Sequence, residues 1–367
     1  MIQHNRKTAA SLFENISPIG TYSDTFRENR KNDTTRLSTG TLSLDIALNG
    51  GLANELYILA AETSTGKSAY MMSMAQKLAK SGVMVLYYAL EMGRDELVAR
   101  GISTISHIHH LADENARQFT TGDILYWQYD STISVFCKLP YEAYEPYAAE
   151  YFTKYGENLH IIESTLDGLT IGQIANASEM LKEKNPDKPI VVFVDYMQLT
   201  KGDPDDRSQS DRKGRIDAIV TTLKVLASQV GMPVLTMSSV ARTSYGSKIG
   251  TDSFKESGDT EYTGGVLWGW NWRGVTDAKK DEDKDREKAR CEKRGYRIMM
   301  LDIMKYRNGA RDTNVYYKYF PAYNYFEEIT KEEADNLMKE SAEKKQPEDA
   351  DTNSAKKKPK TGKTYAG

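Results

Sequence analysis

The apolar positions of this chain fall into short runs separated by longer stretches of helical period. Leu56–Ala60, Val83–Leu90, Leu159–Glu163, Pro189–Asp195 and Pro233–Ser238 have strand length and are mostly apolar, which predicts buried strands. Between them, residues 69–80, Arg94 to about His110, Ile171–Lys184 and Arg215–Val230 space their apolar residues as helices do. Strands interleaved with helices predict an α/β fold, with a mostly parallel sheet covered by helices on both faces. Val266–Trp272 is a further strand, and Arg297–Lys305, Thr313–Phe320 and Tyr323–Glu328 predict a β-hairpin edge.

Three stretches depart from this rhythm. Residues 1–35 are polar with scattered apolar positions, too few for a core of their own, and read as an arm that docks on something else. Residues 111–160 are rich in Tyr and acids and read as an insertion, partly helical, with a strand over Thr132–Leu139. From Lys331 onward the chain is Lys/Glu/Asp-rich, so 331–367 reads as a disordered charged tail. That leaves 36–330 as the main domain. Inside it, Gly40–Gly51 reads as a short helix capped by Gly50-Gly51, and Asp277–Arg294 as a solvated loop or exposed helix.

Composition narrows the class. Hydrophobic residues make up 39% of the 367 and mean hydropathy is −0.60, as in a soluble globular protein. There is no apolar run of membrane-spanning length and no signal peptide, so a cytoplasmic location is expected. The two cysteines, Cys137 and Cys291, lie far apart without metal-ligand spacing, as suits a reducing compartment. A net charge of −3 disfavours bulk coating of nucleic acid but leaves room for a local basic loop. His107-Ile-His109-His110 reads as a polar helix end, since no cysteine or carboxylate pattern accompanies it.

Candidate chemistry concentrates where the first strand meets the first long helix. Glu55-Leu-Tyr-Ile-Leu-Ala-Ala-Glu-Thr-Ser-Thr-Gly-Lys-Ser68 is a strand running into a small-residue loop, the context of a phosphate-binding P-loop. Backbone N–H groups of Glu62, Thr63, Ser64, Thr65 and Gly66, with the positive end of the helix, suit a di- or triphosphate. Lys67 reaches its outer phosphates and the Ser68 hydroxyl holds Mg²⁺. Ala61 stands where the usual pattern has its first glycine. Two later strands end in acids. Asp195 closes Val191–Val194 at the position for a second Mg²⁺-site ligand, and Glu91 follows Val83–Leu90, where a carboxylate can orient or deprotonate an attacking water.

Further wording follows in order: Tyr88-Ala-Leu-Glu-Met92, Val194-Asp-Tyr-Met-Gln-Leu199, Lys255-Glu-Ser-Gly258 and Lys305-Tyr-Arg-Asn-Gly309. On these motifs the chain, from about Arg36 to Glu328, resembles the RecA-like motor domain of DnaB-type replicative helicases, without that family's N-terminal helical domain. The resemblance implies a ring, usually a hexamer, with ATP bound between subunits and single-stranded DNA in the centre. It implies an ATP-dependent DNA helicase or single-strand translocase, with a primase or helicase loader as partner. Glu91 matches the family's catalytic glutamate and Asp195 its Mg²⁺-site acid. Lys305 and Arg307 match the pair that reaches into a neighbour's ATP site. Lys255, Glu256 and Gly258 match the central DNA-contacting loop, and Arg242 is a further candidate phosphate contact. Two departures stand out. Ser239 occupies the place of a nucleotide- or DNA-sensing glutamine, and Tyr262-Thr-Gly-Gly265 replaces polar and acidic residues. These departures support an alternative, a RecA-like ATPase that loads, regulates or switches an assembly without unwinding.

Overall fold

A computed structural model of the chain describes residues 18–31, 36–130, 135–164, 168–202, 212–240, 244–254, 265–278, 280–306, 309 and 313–343. Its centre is a nine-stranded sheet built from β1 (Leu56–Ala61), β2 (Met84–Ala89), β5 (Leu159–Glu163), β6 (Ile190–Asp195), β7 (Val234–Ser239), β8 (Val266–Trp272), β9 (Arg297–Tyr306), β10 (Thr313–Phe320) and β11 (Tyr325–Ile329). A separate two-stranded ribbon pairs β3 (Gln128–Asp130) with β4 (Val135–Cys137). The order across the large sheet is β11-β10-β9-β8-β1-β7-β6-β2-β5. Strands β8, β1, β7, β6, β2 and β5 run parallel, and β9, β10 and β11 add an antiparallel edge. This is the predicted α/β architecture with its hairpin edge.

The sheet separates two cores by strand alternation. Tyr57, Leu59 and Ala61 of β1 join Met71, Ala75 and Leu78 of the helix Lys67–Lys80 on one face. Leu56, Ile58 and Ala60 join Ile219, Leu223 and Leu226 of the helix Arg212–Val225 and its π-turn on the other. Every residue of β1, β2 and β6 is buried, which is why they read as unbroken apolar runs. The helix Ile171–Lys184 starts where a capping box joins Thr170 to Gln173, so its first residue was visible in sequence.

The helix Arg94–Ala112 and the 111–160 insertion that follows it both dock on the β10–β11 turn. The Thr104 hydroxyl donates to the Tyr323 carbonyl (2.8 Å), and Asn324 Nδ2 donates to the Thr121 hydroxyl (3.0 Å). His107, on the helix Arg94–Ala112, stacks on Tyr323 at 4.4 Å, and burial pulls its pKa down. His109 pairs with Glu150 and His110 with the Ala116 carbonyl, so the three histidines diverge. The helix Glu145–Tyr155 completes the insertion through Ala148 and Tyr151.

Two boundaries differ from expectation. Within the strand expected at Thr132–Leu139, the described part is the three-residue β4. The disordered charged tail expected from 331 is wrong over Lys331–Glu343, which is a helix; residues 344–367 lie outside the described residues. Its Ala334, Leu337 and Met338 cover Ile298, Met300, Tyr316 and Ile329 on the far face of the hairpin edge. A reciprocal cap starts it: Thr330 N–H and hydroxyl donate to Glu333, and Glu333 N–H donates back to the Thr330 hydroxyl. At the other end of the chain, the helix Ser23–Lys31 and the turn before it leave Ile19 and Phe26 85% and 55% exposed. Among the described residues, no helix is long and apolar enough to cross a membrane.

Candidate active site

β1 lies between β7 and β8, and its carboxyl end opens into the loop 62–66. Ala61 is the last residue of β1, paired with Ser239 on one side and Trp270 on the other. Its backbone is that of a strand, so the position does not need glycine. Gly66 does, because its φ is +92° and a Cβ there would lie 2.5 Å from the Tyr319 ring. Ser64 takes a left-handed φ of 61°.

Three of the loop's carbonyls are held, two of them from outside the loop. Ser64 O accepts from Arg297 Nη1 (2.9 Å), Thr65 O from Trp270 Nε1 (3.0 Å) and Glu62 O from the Thr65 hydroxyl (2.8 Å). In a planar trans peptide the N–H of the next residue points the opposite way. The amides of Thr63, Thr65 and Gly66 are thereby turned toward the side away from those donors. With the unpaired N–H groups of the helix's first turn they make a nest for an anion. The loop's outer arm is tied to the segment after β7: Thr63 and Tyr245 hydroxyls meet at 3.0 Å, and Gly246 N–H donates to the Glu62 carboxylate.

Lys67 is buried at the loop floor. Its Nζ donates to the Ser239 hydroxyl (2.8 Å) and lies 5.0 Å from the Tyr196 ring centre. Ser68, one residue on, donates from its hydroxyl to Asp195 Oδ1 (3.3 Å). Asp195 is 1% exposed and accepts at Oδ2 from the Tyr87 hydroxyl (2.7 Å). Burial pushes its carboxyl up to about 6, and nearby Glu91 adds to the rise. The Tyr87 and Ser68 hydrogen bonds and Lys67 hold it lower than burial alone would. Glu91 itself is exposed, two residues beyond Ala89, which pairs with Asp195. The Ser68 hydroxyl oxygen and the Asp195 carboxylate, 3.3 Å apart, are hard oxygen ligands of the kind that suit a divalent cation such as Mg²⁺.

Lys305 is placed elsewhere. Arg297, at the start of β9, touches the P-loop, whereas Lys305 stands eight residues further on, opposite Leu267. At strand rise that is about 26 Å. Leu267 pairs with Ile58, near the amino end of β1, so Lys305 sits at the end of the sheet away from its own P-loop. Arg307, Arg242, Lys255, Glu256 and Gly258 lie outside the described residues. Sequence reasoning missed Tyr87, Arg297, Trp270 and Tyr319, whose roles depend on which strands become neighbours.

The sequence profile of the DnaB-like helicase C terminal domain family matches residues 36–328. The chain belongs to that family. Curated relatives agree. The replicative DNA helicase DnaC of Bacillus subtilis is 28% identical over 236 residues, 63% of this chain and 46% of the relative. The replicative DNA helicase DnaB of Geobacillus stearothermophilus is 26% identical over 246 residues, 66% of this chain and 48% of the relative. The chain spans about half the length of these relatives. Among solved structures, the ATPase domain of G40P superposes with a TM-score of 0.63 at 20% identity, covering 86% of this chain and 99% of that one. A DnaB-like replicative helicase, solved in a study of its interactions with primase, superposes with a TM-score of 0.64 at 20% identity, over 88% and 71% of the two chains. Both likenesses establish the RecA-like fold for this member of the DnaB family.

Proposed function

We propose that this domain binds and hydrolyses ATP with Mg²⁺, and that hydrolysis drives a ring of protomers along single-stranded DNA as a helicase. The observation that carries the reading is the Ser68–Asp195 contact beside the buried Lys67 at the mouth of an anion nest. The nest and Lys67 bind the β- and γ-phosphates. Ser68 and Asp195 would hold Mg²⁺, which neutralises charge on the transferring phosphoryl group. Glu91, exposed at the adjacent strand end, orients water for attack and takes its proton. Lys305 and Arg307 act on a neighbour's nucleotide, a role supported by the distance of Lys305 from its own P-loop. The exposed apolar face of the arm, Ile19 and Phe26, calls for a cover that an adjacent protomer supplies. Arg242 and the loop with Lys255, Glu256 and Gly258 contact DNA phosphates without reading sequence. A hexamer working in the cytoplasm with a primase or helicase loader completes the reading.

The test is ATP hydrolysis with and without single-stranded DNA, for wild type and Lys67→Ala. DNA-stimulated turnover that Lys67→Ala abolishes supports the proposal. Turnover that survives in the variant refutes the site. A second reading, an ATPase that loads or switches an assembly without unwinding, draws on Ser239, which engages Lys67 where the family has a longer glutamine. A forked-duplex assay separates the two.

A further inference from the structure

The β3–β4 ribbon and its flanks carry an unusual surface. Tyr126, Trp127 and Phe136 are 61%, 61% and 65% exposed, and Val135 and Tyr141 are also exposed. Position 136 pairs with position 129 within the ribbon, and Trp127 immediately precedes β3. Large apolar side chains scattered singly over a surface are ordinary, but a cluster marks an interaction site. The surrounding charge selects the partner. Residues 111–150 contain seven acids (Asp113, Glu114, Asp123, Asp130, Glu142, Glu145, Glu150) against Arg117 and Lys138. Of these acids, Asp113, Glu114, Glu142 and Glu145 are exposed, whereas Glu150 is paired with Lys154 and His109. Exposed carboxylates repel phosphates and attract cations, and exposed aromatic faces hold ammonium groups above their rings.

We propose that this surface docks a segment of the same chain, the lysine-rich stretch Lys356–Lys363. That stretch holds Lys356, Lys357, Lys358, Lys360 and Lys363, with no acid after Asp351. Its long side chains can lay methylene stems on the aromatic rings while the ammonium groups meet the carboxylates. The reach is sufficient. The insertion sits on the β10–β11 turn, and the helix Lys331–Glu343 leaves from the other end of the five-residue β11. β11 adds about 17 Å and the helix about 20 Å. Twelve residues lie between Glu343 and Lys356, and the thirteen steps of chain from one to the other span about 45 Å when extended. The docked lysines are thereby withheld from DNA phosphates. The proposal is independent of the ATPase reading.

Trp127 is a built-in reporter, because Trp268 and Trp270 are buried and Trp272 is half-buried. Acrylamide quenching of tryptophan fluorescence is to be compared between the full chain and a chain ending at residue 343. The truncated chain is expected to be quenched more strongly, by roughly twofold, as when a cation-stacked indole is uncovered. A synthetic peptide of residues 352–365, added in trans, restores protection. The same peptide with Lys356, Lys357, Lys358 and Lys360 replaced by Glu does not, and high salt abolishes the effect. Equal quenching of the two chains overturns the proposal. So does peptide binding that survives Trp127→Ser with Phe136→Ser, both exposed positions. Protection that follows protein concentration instead of the tail assigns the surface to a second copy and also overturns it.

Discussion

Lys67 Nζ donates to the Ser239 hydroxyl across 2.8 Å, joining the P-loop to the end of the neighbouring strand β7. An ammonium group has three hydrogens, so Lys67 can keep this bond while another hydrogen turns to a phosphate. Ser239 thus positions the cation. Ser239→Ala should weaken ATP binding about fivefold, the scale of one hydrogen bond, with a smaller effect on turnover. Ser239→Thr should restore affinity. Nucleotide titrations of both variants check this, and unchanged affinity in Ser239→Ala removes the positioning role.

Asp195 makes a pH-dependent prediction. Its folded pKa, about 6, lies above the ordinary carboxylate value of 3.8. The folded protein therefore holds this proton more tightly than the unfolded chain does. That contribution is fully present below pH about 4 and is lost as pH rises through 6. Asp195→Asn should therefore be more stable than wild type at pH 8, by up to about 3 kcal/mol, with the advantage shrinking toward pH 4. Nucleotide-dependent Mg²⁺ binding should weaken below pH 6 in wild type and be lost in the variant. Thermal unfolding and Mg²⁺ titrations across this range measure both effects.

Glu91→Gln should bind ATP as wild type does and hydrolyse it at least about 100-fold more slowly, because an amide cannot accept the water's proton. Single-turnover hydrolysis beside equilibrium binding distinguishes this from a folding defect. Equal loss of both would make Glu91 structural.

The helix Lys331–Glu343 belongs to the fold. Ending the chain at residue 343 leaves the helix and its buried partners intact and should cost far less stability than ending it at residue 330. Ending it at residue 330 should lower stability by several kcal/mol, since it uncovers Ile298, Met300, Tyr316 and Ile329. Denaturant unfolding of the two truncations decides.

Legibility in the sequence followed the range of the interactions. Val266–Trp272 and Ile171–Lys184 were read to the residue, since local runs and caps define them. The P-loop and Asp195 were readable because a loop between strand and helix, and an acid ending an apolar strand, are local signals. The helix at Lys331 carried the same kind of signal in Thr330 and Glu333, but Ala334, Leu337 and Met338 were lost among the surrounding charge. The Tyr87–Asp195, Ser239–Lys67 and Arg297–Ser64 contacts had no local signature. They exist because β6 lies beside β2 and β1 beside β7, and because β9, with Arg297 at its start, packs beside β8.

A nucleotide site completed by a neighbouring protomer can be tested by mixing variants. Lys67→Ala and Arg307→Ala proteins should each hydrolyse ATP poorly, the second because a basic finger contributes roughly 10³–10⁵-fold to phosphoryl transfer. Combined, they should regain part of the wild-type, DNA-stimulated rate. Some interfaces then pair an intact P-loop with an intact finger. Full activity of Arg307→Ala alone would contradict the account, as would a monomer with the same specific rate at every protein concentration.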